Sequence, residues 1–320
     1  MKGIRHFRAV TAALLTMLLG QVACAIEIDG YNPSRHDRFV SGGYGGNAVL
    51  NENAFFSAYD FSGVGRAGFQ PVTMVTPVHG LAAAHFPPSG TVTFVNRNGN
   101  LVTRTVASTD QIQDSSQSTS TDLLLVTLDS ELSAVDKVAT YNLVYPTGRP
   151  TLAGDLADLN DKELYVYGKQ HAVGRNELDG SEYAAMGLNN FGYATISSST
   201  GIAALFDYAP ATGFSPDEAR LVAGDSGHPD FIAYDDDLVL FALHWAVASS
   251  GVTPLTLSTF APYYWPEISG LLNDYNSFHS TSYAIGLTNV TIPVPEPATL
   301  GLLAVGLLMA CRRRAGHFSS

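Results

Sequence analysis

Short runs of β-branched, aromatic and aliphatic residues recur through the middle of this chain, and clusters of Gly, Asn, Ser and Pro cut them apart. The runs are Val72–Val78, Thr91–Val95, Leu101–Val106, Leu123–Leu128, Leu164–Tyr167, Phe191–Ile196, Leu238–Ala248 and Thr253–Leu257. Apolar runs bounded by turn residues, as at Asn96-Arg97-Asn98-Gly99-Asn100, read as strands and hairpins. One late segment departs from the pattern: Pro266 and Glu267 suit a helix start, and Ile268, Leu271, Leu272 and Tyr275 share one helical face. An all-β protein with a C-terminal helix is expected. With 46% hydrophobic residues in 320, it can build one or two cores.

Both ends read as addresses rather than fold. Lys2, Arg5 and Arg8 precede an apolar run through Leu19, and Ala23-Cys24-Ala25 offers the small residues a signal peptidase reads, so residues 1–25 are expected to be a signal peptide. Gln21 stands where a lipidation signal takes Leu, which disfavours acylation at Cys24. At the other end Pro295-Glu296-Pro297 opens an apolar run, Ala298 to Cys311, closed by Arg312, Arg313 and Arg314. Fourteen helical residues rise only about 21 Å, short of the roughly 30 Å hydrocarbon core, so this transmembrane helix suits transient membrane association rather than a permanent span. The combination resembles the PEP-CTERM sorting signal of Gram-negative bacteria. That resemblance implies removal by an exosortase-type enzyme and export to the cell envelope, cell surface or extracellular matrix.

Removing both ends takes away six of the 17 basic residues and one of the 29 acidic ones, leaving a net charge of about −17 on the span from Ile26 to Val294. No basic face remains to neutralise phosphates, so nucleic acid is excluded as a partner. Both cysteines also leave, and the remaining span has no disulfide or thiol chemistry.

Three separated patterns could carry chemistry: Ala83-Ala84-His85 after an apolar stretch, Asp122 heading Leu123–Leu128, and Gly224-Asp225-Ser226-Gly227-His228-Pro229. Each has a plain structural reading as well, namely a buried histidine, a strand cap and a turn. Together and in this order they resemble the trypsin-like (chymotrypsin-fold) serine proteases. That resemblance covers about Ser62 to Tyr275 and implies two packed six-stranded Greek-key β-barrels with a C-terminal helix. It also implies a catalytic triad of His85, Asp122 and Ser226, hydrolysis of peptide bonds in a protein or peptide substrate through an acyl-enzyme, and no metal or organic cofactor.

The chemistry asked of these residues is specific. A serine hydroxyl is a weak nucleophile unless a base takes its proton during attack, and histidine is the side chain suited to that exchange near neutral pH. Asp122 would hold the His85 tautomer and stabilise the imidazolium. The N–H groups of Gly224 and Ser226 would form the oxyanion hole. The resemblance further suggests substrate-binding roles for Arg220, at the base of the primary pocket, and for His244 and Trp245 in Phe241–Ala246. His79 lacks the neighbours of a metal site and reads as structural.

Two departures from the family pattern stand out. His228 replaces a glycine, and no Ile-Val-Gly-Gly activation terminus exists, although Arg38-Phe39-Val40-Ser41-Gly42-Gly43 is a loose imitation. Asp225, which in activated relatives meets a freed amino terminus, is left needing a cation, either a new terminus at Phe39 or a side chain such as His228. The expected organisation is 1–25 signal, 26–150 first half with His and Asp, 151–275 second half with Ser, 276–293 spacer and 294–320 sorting signal. The rival from another class is a catalytically impaired trypsin-like scaffold acting as a surface or matrix binding protein.

Overall fold

Six antiparallel strands of the first half close on themselves. The computed structural model describes residues 26–115, 118–145, 159, 162–177, 191–196, 199–207, 217–250 and 253–290. The strands are β1 (Val64–Ala67), β2 (Gln70–Met74), β3 (His79–Ala83), β4 (Thr91–Val95), β5 (Leu101–Asp114) and β6 (Thr119–Leu128). They pair in the cyclic order β1-β2-β3-β6-β5-β4, and β4 returns to β1 through Arg66 and Thr93. This is Greek-key connectivity closed into a barrel, which leaves no free edge.

The second half repeats the order. Its strands are β7 (Glu163–Tyr167), β8 (Val173–Glu177), β9 (Phe191–Ile196), β10 (Ser199–Asp207), β11 (Pro229–Tyr234), β12 (Asp237–Ser250) and β13 (Thr253–Phe260). Pairing runs β8-β7-β11-β12-β13-β10, with β9 added as a hairpin outside β10. The seam from β8 to β10, which would close the ring, is unpaired among the described residues. Parallel bridges join the two halves at Thr121 with Thr200 and at Leu143 with Leu240, and Glu27–Ile28 pairs antiparallel with Ala219–Arg220.

Side-chain alternation explains why β6 is apolar throughout. Leu124, Val126 and Leu128 pack inside the first barrel with Val72, Met74 and Phe94, while Leu123 and Leu125 point the other way into a core shared by both halves. That shared core also contains Phe61, Tyr141, Tyr167, Phe231 and Leu240. A strand buried on both faces reads as a continuous hydrophobic run, one facing at the edge of a core as an alternation. Phe231 is fully buried, with its ring 5.7 Å from that of Phe61 and 4.6 Å from that of Tyr141. Phe231→Ala is expected to cost about 3–5 kcal/mol, read as a lower urea midpoint.

The helix α1 (Trp265–His279) buries Ile268 and Leu272 and ends where Ser280 turns left-handed at φ 54°. The segment expected as a spacer from residue 276 is instead docked as far as 290. Leu287–Thr288 runs parallel to Leu143–Val144, and Ile285 and Val290 are buried. Hydrogen bonding to a distant strand overrides the polar, turn-like composition that suggested a linker. The expected signal peptide, the boundary residues 146–154 and the apolar run Ala298–Cys311 lie outside the described residues. Among the described residues no helix is long and apolar enough to cross a membrane.

Candidate active site

His85 leaves the end of β3 just where β6 begins its apolar run. The pairing of Ala83 with Leu123 continues as an Ala84 N–H bond of 3.0 Å to the Asp122 carbonyl, which sets Asp122 beside His85. The Asp122 carboxylate then grips His85 twice. Oδ1 accepts the backbone N–H at 2.9 Å, and Oδ2 lies 2.7 Å from ring Nδ1. Asp122 is 1% exposed, whereas the His85 side chain is 39% exposed. An ionised carboxylate only accepts, so the ring proton sits on Nδ1 and Nε2 keeps its lone pair. The pair is an oriented base with one open face.

The turn bearing Ser226 is delivered from the second half. Gly227, at φ +76°, packs so closely on β3 that a Cβ there would lie 3.2 Å from both the backbone N and the Cβ of Ala83, two residues before His85. Ser226 is half-buried beside it. Among the described residues the Ser226 hydroxyl makes no hydrogen bond, so a link from it to His85 Nε2 is not formed here. Such bonds are often long in a free enzyme and tighten when substrate arrives.

The backbone of the turn sorts into spent and unspent donors. The N–H groups of Asp225, Gly227 and His228 go to the carbonyls of Val222, His244 and Asp225 at 3.1, 2.8 and 3.1 Å. Among the described residues those of Gly224 and Ser226 donate to nothing. Gly224 takes φ +99°, a conformation that suits glycine. Two uncommitted N–H groups flanking a serine can stabilise a developing oxyanion, each worth about 3–4 kcal/mol in such sites.

Asp225 is 1% exposed, and its carboxylate is held by two backbone donors. Lys169 N–H reaches Oδ1 at 3.1 Å, and Val222 N–H reaches Oδ2 at 2.9 Å. Burial raises its pKa, and these two bonds pull the other way. Its carbonyl is approached by two rings, Nδ1 of His228 at 3.0 Å and Nδ1 of His244 at 3.1 Å. His228 does not meet the carboxylate, and burial, reinforced by His244, pushes its pKa down to about 3, so it is neutral and supplies no cation. Its ring is turned inward, stacked 6.1 Å from Tyr167.

His244 had been expected to face substrate; it is 1% exposed and faces inward. A register irregularity of β12 lies between His244 and Ala246. Its Nε2 is 2.8 Å from Asp230 Oδ1, and its Nδ1 meets the Asp225 carbonyl. Both neighbours are acceptors, and the ring satisfies both when each nitrogen carries hydrogen. The result is a buried His244–Asp230 hydrogen-bonded pair standing behind the turn that bears Ser226, with no sequence signal beyond the residues themselves.

Arg220 pairs with Glu27 across a short two-strand ladder, its Nε 2.9 Å from Oε2. Trp245 is 4% exposed at that irregularity. Arg38 is 6% exposed, and its guanidinium donates to the Val95 carbonyl at 2.7 Å and to Tyr44 and Tyr167. A bond beside so deeply engaged a side chain is a poor cleavage site, which argues against a new terminus at Phe39. His79 is buried between Thr76, whose Oγ1 is 2.9 Å from Nδ1, and the rings of Tyr275 and Tyr283.

Residues 293–315 match the PEP-CTERM protein-sorting motif. The motif indicates export in a Gram-negative bacterium and association with the envelope or surface, and it implies processing by an exosortase. No curated protein matches the chain. Among solved structures, a mutant of human heparin binding protein superposes at 13% identity with a TM-score of 0.44, covering 67% of this chain and 92% of that one. Human heparin binding protein itself superposes at 14% identity with a TM-score of 0.43 over the same shares.

Proposed function

We propose that this chain is an exported serine endopeptidase in which Ser226 attacks a peptide carbonyl, His85 takes and returns the proton, and Asp122 orients His85. The observation that carries the reading is the two-point grip of Asp122 on His85, with the turn bearing Ser226 packed against the same strand end. The unspent N–H groups of Gly224 and Ser226 support it. The step is acyl transfer: the Oγ–C bond forms, the C–N bond breaks, and His85 passes the serine proton to the leaving amine. Water then releases the acyl group by the reverse route. Labelling of the purified mature protein by a fluorophosphonate tests the reading. Unlabelled protein with the fold intact would favour a binding scaffold instead.

Activation on this reading is tied to export. Ile26, the residue after the expected signal cleavage, is only 4% exposed. A Cβ on Gly168 would lie 3.1 Å from Ile26 N, and the register Glu27 to Arg220 sets Ile26 opposite Leu221. Gly168 and Leu221 immediately precede Lys169 and Val222, the two residues whose N–H groups hold Asp225. Cleavage after Ala25 would therefore free an ammonium group close to a buried carboxylate that, among the described residues, has no side-chain hydrogen-bond donor, without any cut at Arg38. Intact mass of protein from the native host is expected to start at Ile26 and end near Pro295 to Pro297; a chain ending at Ser320 contradicts the processing. Adding one residue before Ile26 is expected to slow fluorophosphonate labelling at least tenfold, and an unchanged rate removes the ammonium from the account.

A further inference from the structure

A cavity of about 550 Å³ opens beside the nucleophile turn, walled by Arg66 and Phe69 from the first half, by Phe86 next to His85, and by Lys169 and Gly224 from the second. We propose that it is a subsite for a carboxylate-bearing residue among the first two residues on the leaving-group side of a peptide substrate, an inference that rests on the endopeptidase reading above.

Charge carries the argument. In this acid-rich chain Arg35, Arg97, Arg104, Arg175 and Arg220 each meet a carboxylate, and Arg38 is buried against oxygen acceptors. Arg66 meets no carboxylate among the described residues; it lies over the Tyr44 ring, 4.6 Å from its centroid. Among the described residues Lys169 Nζ has one partner, the Ala223 carbonyl at 3.2 Å, which leaves two of its hydrogens uncommitted. Two cations without an ion-pair partner among the described residues thus line one cavity, and none of its described lining residues is a carboxylate. Phe69, 71% exposed, and Phe86 supply aromatic wall, and Gln170 and His171 complete the lining. A cavity with aromatic walls and convergent cations fits a side chain with an apolar stem and an anionic head.

The side of the scissile bond follows from the site. His85 must protonate the leaving amine, and the cavity starts at Phe86, the residue after it, and at Gly224, a proposed oxyanion donor.

The test uses internally quenched peptides that differ only in carrying Glu, Gln or Lys at the two positions after the scissile bond. Wild type is expected to show kcat/KM at least tenfold higher for Glu than for Gln, with the ratio shrinking in 0.5 M salt as screening predicts. The Arg66→Gln, Lys169→Gln protein is expected to bring that ratio near one, and the charge-keeping Arg66→Lys, Lys169→Arg protein to retain it. A ratio near one in wild type, or a high ratio surviving in the Gln variant, overturns the subsite. Anisotropy of a fluorescent Glu-containing peptide on Ser226→Ala protein, with and without the two Gln substitutions, reads the cavity separately from catalysis. Equal binding overturns the proposal even where cleavage is seen. Tighter binding to the unsubstituted cavity, with no fluorophosphonate labelling of wild type, upholds the subsite and overturns the enzyme.

Discussion

Replacing Ser226 by Ala is expected to abolish fluorophosphonate labelling and to cut kcat for peptide cleavage about a millionfold, while Asp122→Asn costs about ten-thousand-fold with KM little changed. The second figure follows from the geometry. Asp122 Oδ2 sits 2.7 Å from His85 Nδ1, and as a carboxylate it can only accept. An asparagine there can turn an N–H toward Nδ1, moving the ring proton to Nε2, the nitrogen that must take the serine proton. The backbone N–H of His85 at 2.9 Å from Oδ1 would keep the side chain in place, so the loss belongs to the tautomer rather than to misplacement. Residual turnover would come from the N–H groups of Gly224 and Ser226 and from binding. Label on the Ser226→Ala protein, or an Asp122→Asn protein as fast as wild type, would sink the triad.

Acid is expected to unfold the protein through histidines that the fold keeps neutral. Burial lowers the pKa of His79 to about 4 and that of His228 to about 3, against about 6.5 in an unfolded chain. Below pH 6.5 the unfolded chain therefore binds more protons than the native one, and stability falls as pH falls. His79 withdraws about 3 kcal/mol between pH 6.5 and 4, and His228 about 5 kcal/mol by pH 3. Typical domains have about 5–15 kcal/mol in total, so these two groups alone bring the fold close to its limit. Asp225 acts in the opposite sense: its pKa is raised by burial, so protonating it in acid relieves a native-state cost. Urea titrations from pH 8 to 4 on wild type and His79→Gln separate the contributions. The wild type is expected to lose about 3 kcal/mol more than the variant over that range, and parallel profiles would show that His79 is not the sensor.

Much of the architecture is readable where burial imposes a period. Thr91–Val95 and Phe191–Ile196 are strands over the residues expected, and Trp265–His279 contains the predicted helical face. Val64–Ala67, Val173–Glu177 and Ser199–Asp207 form strands outside the expected runs, as does Pro229–Tyr234 in spite of its Phe, Ile and Tyr. His79–Ala83 is His-Gly-Leu-Ala-Ala, a run of small residues that becomes a strand because Thr73 and Leu125 pair with Leu81 from either side. Leu287–Thr288 is a two-residue strand made only by its parallel partner Leu143–Val144. In each case a partner distant in sequence helps make the strand, Leu125 for Leu81 and Leu143 for Leu287, and propensity yielded to it.

The sequence by itself determined the strand-rich class, the helix near its end, the sorting signal and the chemical types of the candidate triad, since each is written in composition, period or local spacing. Only the tertiary structure decided which groups meet. Arg220 pairs with Glu27, 193 positions away, instead of serving a pocket. His244 turns inward to Asp230 rather than toward substrate. Asp225 takes its donors from Lys169 and Val222, and Arg66 and Lys169 converge on one cavity from opposite halves. Periodicity describes how a chain folds along itself, whereas a charge or a hydrogen bond is satisfied by whatever lies within a few ångströms. In a two-barrel protein those neighbours come from strands whose order in space is not their order in sequence.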